Sequence, residues 1–131
     1  MPVTYERDDS RRLIMVTVAE PVSVYDILGA VNRQAAEDTW GYAVLYDLQG
    51  VKDVAVLAHL PQIADRVKAL AGDRPRGPVG VAISPRPELF LAGLMYGELT
   101  REFMSIEILL TAGQLEDWLS RNALRGSSNQ R

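Results

Sequence analysis

The 131-residue chain has no cysteine and only one histidine, so two large classes of protein chemistry have little to work with. Without cysteine there is no disulfide framework and no thiolate to act as a nucleophile or ligand. A zinc site of the usual kind needs several histidine, cysteine or carboxylate ligands in register, and His59 has no such neighbours. We therefore expect no metal and no cofactor, and we interpret His59 as an ordinary residue on a helix face.

The sequence also lacks any apolar run of the roughly 18 residues that a membrane span needs, and its N-terminal segment is acidic rather than apolar. The formal net charge is −3, which argues against a nucleic-acid-binding protein. Two short basic groups, Arg11 with Arg12 and Arg74 with Arg76, are interpreted as parts of solvated loops. We expect a cytoplasmic protein with no nucleic-acid partner and no transmembrane segment.

The ten glycines form neither Gly-x-Gly-x-x-Gly nor Gly-x-x-x-x-Gly-Lys-Ser/Thr, so the familiar nucleotide-binding loops are missing. No pair of residues can be named as nucleophile and base. We therefore name no catalytic residues and do not expect an enzyme.

What is present is an ordinary globular composition, with 47% hydrophobic and 24% charged residues. The length suits one domain, which we place over residues 1–122, and the polar segment 123–131 is expected to be a flexible tail. Apolar and β-branched runs predict strands at residues 3–6, 13–18, 42–46, 79–83 and 105–110. Residues 47–53 are predicted to be a polar loop.

Helical spacing of apolar residues predicts four helices between and after these strands. The first follows an N-cap at Ser23, and its polar Gln34 is assigned to the outer side. The second covers residues 54–70, where Pro61 either kinks the helix or marks its true start. The third covers residues 88–103, and the last follows a Thr111 cap. This order predicts an α/β fold, a five-stranded and mainly parallel sheet that begins with a hairpin.

The third helix carries apolar residues on more than one side. Its core-facing positions are predicted to be Ala92, Tyr96, Leu99 and Phe103. The other large apolar side chains are Phe90, Leu91, Leu94 and Met95, where a surface helix is normally polar.

Gly93 and Gly97, one turn apart, reduce the stability of this helix by about 1 kcal/mol each relative to alanine. Close approach of another backbone is one reason to keep them. Either the whole helix is enclosed within the monomer, or it presents an apolar patch to a partner subunit or an apolar ligand.

A polar crevice is predicted where the middle strands end, since ligands of open parallel sheets favour that edge. The candidate residues are Asp47, Gln49, Lys52, Asp53, Ser84 and Arg86. Arg86 near a helix start could hold an anion. In the alternative interpretation Asp53 and Ser84 are simply helix caps.

The element order, together with the segments at residues 40–48 and 77–82 and the terminal Trp118-Leu119, resembles the SpoIIAA-like family, which is related to STAS (anti-anti-sigma-factor) domains. The likeness spans about residues 3–122. It implies a bacterial cytoplasmic protein with five strands and four helices wound in successive strand–helix units. STAS domains that act as switches carry a phosphorylatable serine after the middle strand, but Ala55 and Val56 stand at that place here. The fold also resembles CRAL-TRIO lipid-transfer domains.

These observations lead to three functional hypotheses. The first is a non-catalytic STAS-like interaction module that lacks the serine and self-associates through the third helix, most simply as a homodimer. The second is a carrier of a small non-polar or lipid-like ligand, lined by Phe90, Leu91, Leu94 and Met95. The third, an enzyme that uses the polar crevice, has the least support.

Overall fold

The computed structural model describes residues 3–52, 54–74 and 76–123. The strands are β1 (Val3–Asp8), β2 (Leu13–Ala19), β3 (Ala43–Gly50), β4 (Val79–Ile83) and β5 (Ile106–Leu109). The α-helices are α1 (Val24–Ala36), α2 (Leu60–Ala71), α3 (Pro87–Thr100) and α4 (Ala112–Asn122), and a 3-10 helix at Val54–His59 precedes α2. The predicted tail lies outside the described residues except for Ala123, the C-cap of α4.

The five strands form one sheet in the order β1-β2-β3-β4-β5. β1 and β2 pair antiparallel as a hairpin, and all other neighbours pair in parallel. The predicted α/β class, with a mainly parallel sheet, is therefore confirmed. Because parallel crossovers are right-handed, a sequential strand order places the connecting helices α1, α2 and α3 on one face of the sheet.

The two faces of the sheet are covered by different helices, since side chains alternate between faces along each strand. α1, α2 and α3 pack on the face that carries Tyr46 and Val81. α4 packs on the opposite face, where Trp118 joins a buried cluster with Leu45. A Cβ atom on Gly80 would lie 2.7 Å from the Trp118 ring, so the indole rests directly on the strand backbone.

Local signals fix several helix ends. Ser23 accepts a hydrogen bond from the Asp26 backbone N–H, and the Asp26 carboxylate accepts one from the Ser23 N–H, which completes a capping box. Pro61 lies in the first turn of α2, so it marks the start of that helix rather than a kink. Gly72 follows α2 with a φ of 57°, a conformation that favours glycine at a helix end.

Three predicted boundaries are wrong. The predicted loop at residues 47–53 belongs to β3 up to Gly50, because Asp47 and Leu48 pair with β4. The predicted second helix is divided into the 3-10 helix and α2. The third helix ends at Thr100, so Phe103 lies beyond it. The Thr100 hydroxyl donates to the Tyr96 carbonyl oxygen in the last turn.

Candidate functional site

A cavity of about 110 Å³ lies between the sheet and the helices α1, α2 and α3. Along β4 it runs from Val79 to Ile83, a span of roughly 13 Å at the usual rise of a strand. Arg76 lines the cavity beyond the amino end of β4. Apolar cavities of about 150 Å³ bind benzene in other proteins, so this volume suits a small ring or a short branched chain.

The lining is apolar except for Arg76 and the two tyrosines Tyr46 and Tyr96. The sheet and its adjoining loops contribute the apolar residues Leu48, Val51, Val79, Val81, Ile83, Met104, Ile106 and Ile108. The helices contribute Ile27, Val31, Leu60, Ile63, Leu89, Ala92 and Gly93. An apolar enclosure with few polar groups is typical of small-molecule sites, in which the polar groups set the orientation of the ligand.

Arg76 is the charged residue of this cavity and is only 6% exposed. Its Nη2 donates to Gln34 Oε1 at 2.7 Å and to the Tyr46 hydroxyl at 3.0 Å. Its Nη1 lies 3.7 Å from the Met104 sulfur, which is a weak acceptor. The buried Nε–H has no hydrogen-bond partner among the described residues.

The positive charge of Arg76 is held by neutral groups. Within the described part of the chain, no carboxylate forms an ion pair with it. The guanidinium carbon lies 4.8 Å from the centroid of the Trp40 ring and 5.8 Å from that of Tyr46, within the range of cation–π attraction. The expectation that residues 74–76 form a solvated basic loop is therefore wrong for Arg76, although Arg74 is exposed.

Tyr96 supplies a second polar group and reaches the cavity from α3. Burial raises the pKa of its phenol well above the usual value for tyrosine, and the positive charge of Arg76 opposes this only in part. The phenol therefore stays protonated and uncharged at neutral pH. It leaves the single positive charge of the cavity unbalanced.

Helix α3 forms one wall of the cavity. Its inner side contributes Leu89, Ala92, Gly93 and Tyr96 to the cavity, whereas the predicted ligand-lining residues lie elsewhere. Leu91, Leu94 and Met95 are 58%, 50% and 66% exposed, and Phe90 is partly buried. Leu99, predicted to face the core, is 49% exposed and extends the outer apolar stripe.

The two glycines of α3 pack within the monomer. A Cβ atom on Gly93 would lie 2.6 Å from the Ile108 side chain, and one on Gly97 would lie 3.0 Å from Ile106. Both isoleucines belong to β5. The glycines thus allow α3 to approach its own sheet, and Gly93 also lines the apolar cavity.

Some of the residues predicted to form the polar crevice lie close together in the structure. Arg86 Nη1 donates to the Lys52 carbonyl oxygen at 2.6 Å, and the Asp47 carboxylate accepts from the Gln49 backbone N–H at 3.1 Å. Ser84 has a buried hydroxyl with no partner among the described residues. Arg86 also pairs with Glu88, so its charge is balanced by a neighbour on α3. Asp53 lies outside the described residues.

The described residues provide neither a metal site nor a membrane-spanning helix. They contain no group of three or more His, Cys, Asp or Glu side chains that could hold a metal ion. His59 is exposed and precedes α2 without making a side-chain cap. No described helix combines the length and the apolar character needed to cross a membrane.

The buried polar pair of this site, Gln34 and Arg76, differs from what the sequence predicts. Gln34 is 1% exposed, and a signal for this exists because it lies three residues after Val31 on the apolar stripe of α1. Arg76 has no comparable signal, since nothing in a loop sequence distinguishes it from Arg74.

Neither a family model, nor a curated protein, nor a solved structure matches this chain.

Proposed function

We propose that this protein is a non-catalytic binding domain that holds a small, mainly apolar molecule between its sheet and helices α1, α2 and α3. The main observation that supports this proposal is the cavity. Protein interiors are normally filled to crystal-like density. At about 24 cal/mol per Å³, an unfilled cavity of 110 Å³ corresponds to about 2–3 kcal/mol of lost stability, which an apolar ligand can restore.

Filling the cavity from α3 tests the proposal. Ala92 lines the cavity and is 7% exposed, so Ala92→Leu places a larger side chain in the ligand volume. We expect binding of benzene-sized probes, followed by ligand-observed NMR, to fall about tenfold or more. Native mass spectrometry of freshly purified wild-type protein is expected to show a bound small molecule that Ala92→Leu lacks.

The control for this experiment is Leu91→Ala, a change on the outer side of the same helix at an exposed position. It should leave probe binding unchanged. Wild-type protein that binds none of the probes, or an Ala92→Leu variant that binds them as well as wild type, would contradict the proposal.

The outer side of α3 supports a second proposal, self-association through this helix. Leu91, Leu94, Met95 and Leu99 follow helical spacing and form one exposed stripe, here called the α3 stripe. It extends over about 12 Å of the helix axis. A stripe of that length matches a small two-helix contact, so we expect a weak homodimer.

Leu94→Glu tests self-association because it puts a charge at the centre of the α3 stripe. Analytical ultracentrifugation over a wide concentration range should show dimers for wild type and at least about tenfold weaker association for the variant. Tyr25→Glu is the matched control, since Tyr25 is 75% exposed on α1, away from the stripe. A wild-type chain that stays monomeric at every concentration would refute this proposal.

The resemblance to SpoIIAA-like and STAS domains forms part of the same proposal. It is supported by the order of elements, in which a β1–β2 hairpin is followed by alternating helices and strands. A STAS-like module without the regulatory serine would be controlled by a ligand or a partner rather than by phosphorylation. A bacterial and cytoplasmic origin, implied by the resemblance, belongs to this proposal as well.

A further inference from the structure

We infer that the cavity ligand is a monoanion, a small apolar carboxylate whose charge pairs with Arg76. This inference rests on the proposed ligand-binding function and adds the chemical class of the ligand. It starts from Arg76, the one charged side chain among the residues that line the cavity. All of its hydrogen-bond partners among the described residues are neutral.

An arginine side chain carries a permanent charge in proteins, so Arg76 places a full positive charge in the interior. A buried charge is stable when an opposite charge and hydrogen bonds compensate its lost hydration. Gln34, Tyr46 and the Trp40 ring provide dipoles and a π face but no negative charge. A negatively charged ligand would provide the missing charge.

Two donors of Arg76 lack a strong acceptor among the described residues. The Nε–H is buried without a partner among the described residues, and Nη1 has only the Met104 sulfur as its described acceptor. Both Nη2 contacts, to Gln34 and Tyr46, hold the guanidinium in place. Carboxylate oxygens form shorter and stronger hydrogen bonds with such a cation than neutral acceptors do.

The balance of charge favours a monoanion over a phosphate ester. The cavity offers a single positive charge, and the other polar lining groups, Tyr46 and Tyr96, are phenols. Burial keeps Tyr96 protonated, so the cavity has no second charge to balance a dianion. The remaining lining is apolar and matches a small ring or branched chain attached to one carboxylate.

Matched probe pairs test the inference. Benzoate and 3-methylbutanoate are compared with benzyl alcohol and 3-methylbutanol, which have similar bodies but no charge, and phenyl phosphate serves as the dianion. Isothermal titration calorimetry at pH 7 should show about 10- to 100-fold tighter binding of at least one carboxylate than of its alcohol, with phenyl phosphate weaker than benzoate. The Arg76 Nε–H resonance in ¹H–¹⁵N spectra should shift with the carboxylate only.

Arg76→Met should remove the preference for carboxylate while retaining binding of the alcohol, and Arg76→Lys should restore part of it. The wild-type comparison of acid with alcohol needs no variant and so does not depend on the folding of either one. Equal affinity for acid and alcohol, or tighter binding of phenyl phosphate, would overturn the carboxylate inference and leave the proposed function standing. Absence of binding by every probe would overturn both.

Discussion

Trp118→Ala is expected to destabilise the protein by about 3–5 kcal/mol, the range measured for buried tryptophan and phenylalanine in other cores. Trp118 is 1% exposed, and it is the main side chain with which α4 contacts the face of the sheet opposite the cavity. Its ring rests on Gly80, which has no side chain of its own to fill the space that alanine leaves. Urea unfolding followed by circular dichroism measures the change.

Two controls separate this effect from a general sensitivity to mutation. Tyr25→Ala, at a 75% exposed position, should change the free energy of unfolding by less than about 0.5 kcal/mol. Because α4 and the cavity lie on opposite faces, Trp118→Ala should also leave probe affinity unchanged under conditions where the variant is folded. A loss below about 1 kcal/mol would show that α4 is not packed as described.

Gly77→Ala is expected to lower the free energy of unfolding by about 2–4 kcal/mol, which extends beyond the usual range for overpacked side chains. A Cβ atom at this position would overlap the carbonyl oxygens of Gly41 and Tyr42. These are backbone atoms, which cannot rotate away as a flexible side chain can. The Gly77 N–H also donates to the Trp40 carbonyl oxygen at 2.9 Å, so the segment has little freedom to move.

The same substitution should affect the cavity, since Gly77 follows Arg76 directly in the chain. A shift of this segment moves the guanidinium away from Gln34 and Tyr46, and any preference for carboxylate probes should weaken. Gly29→Ala is the control, because a Cβ atom there meets nothing within 4 Å inside α1. That variant should gain about 0.5–1 kcal/mol from the helix preference of alanine. A Gly77→Ala protein as stable as wild type would contradict the described contact.

Much of the architecture could be predicted because its signals are local. The capping pair of Ser23 and Asp26 and the glycine after α2 specify helix ends through hydrogen bonds between close neighbours in sequence. The apolar strand around Val44 and Leu45 indicates a parallel sheet because both of its faces are covered. These properties depend on the identity and spacing of nearby residues, which any sequence displays.

The candidate site depends on contacts between distant parts of the chain. Arg76 meets Gln34 across 42 positions and Tyr46 across 30, and no local pattern records such a meeting. The glycines of α3 show the same limit, since spacing reveals a close approach but not whether β5 or another molecule supplies it. The outward position of Leu99 likewise depends on the angle at which α3 docks on the sheet.

The sequence by itself therefore determined the alternating strands and helices, the opening hairpin and the excess of apolar residues on the third helix, because periodicity and capping act over a few residues. Tertiary structure decided the strand order, the assignment of α4 to the second face and the burial of Arg76 beside an apolar cavity. Those features follow from which surfaces meet, and that is settled by the packing of the whole chain.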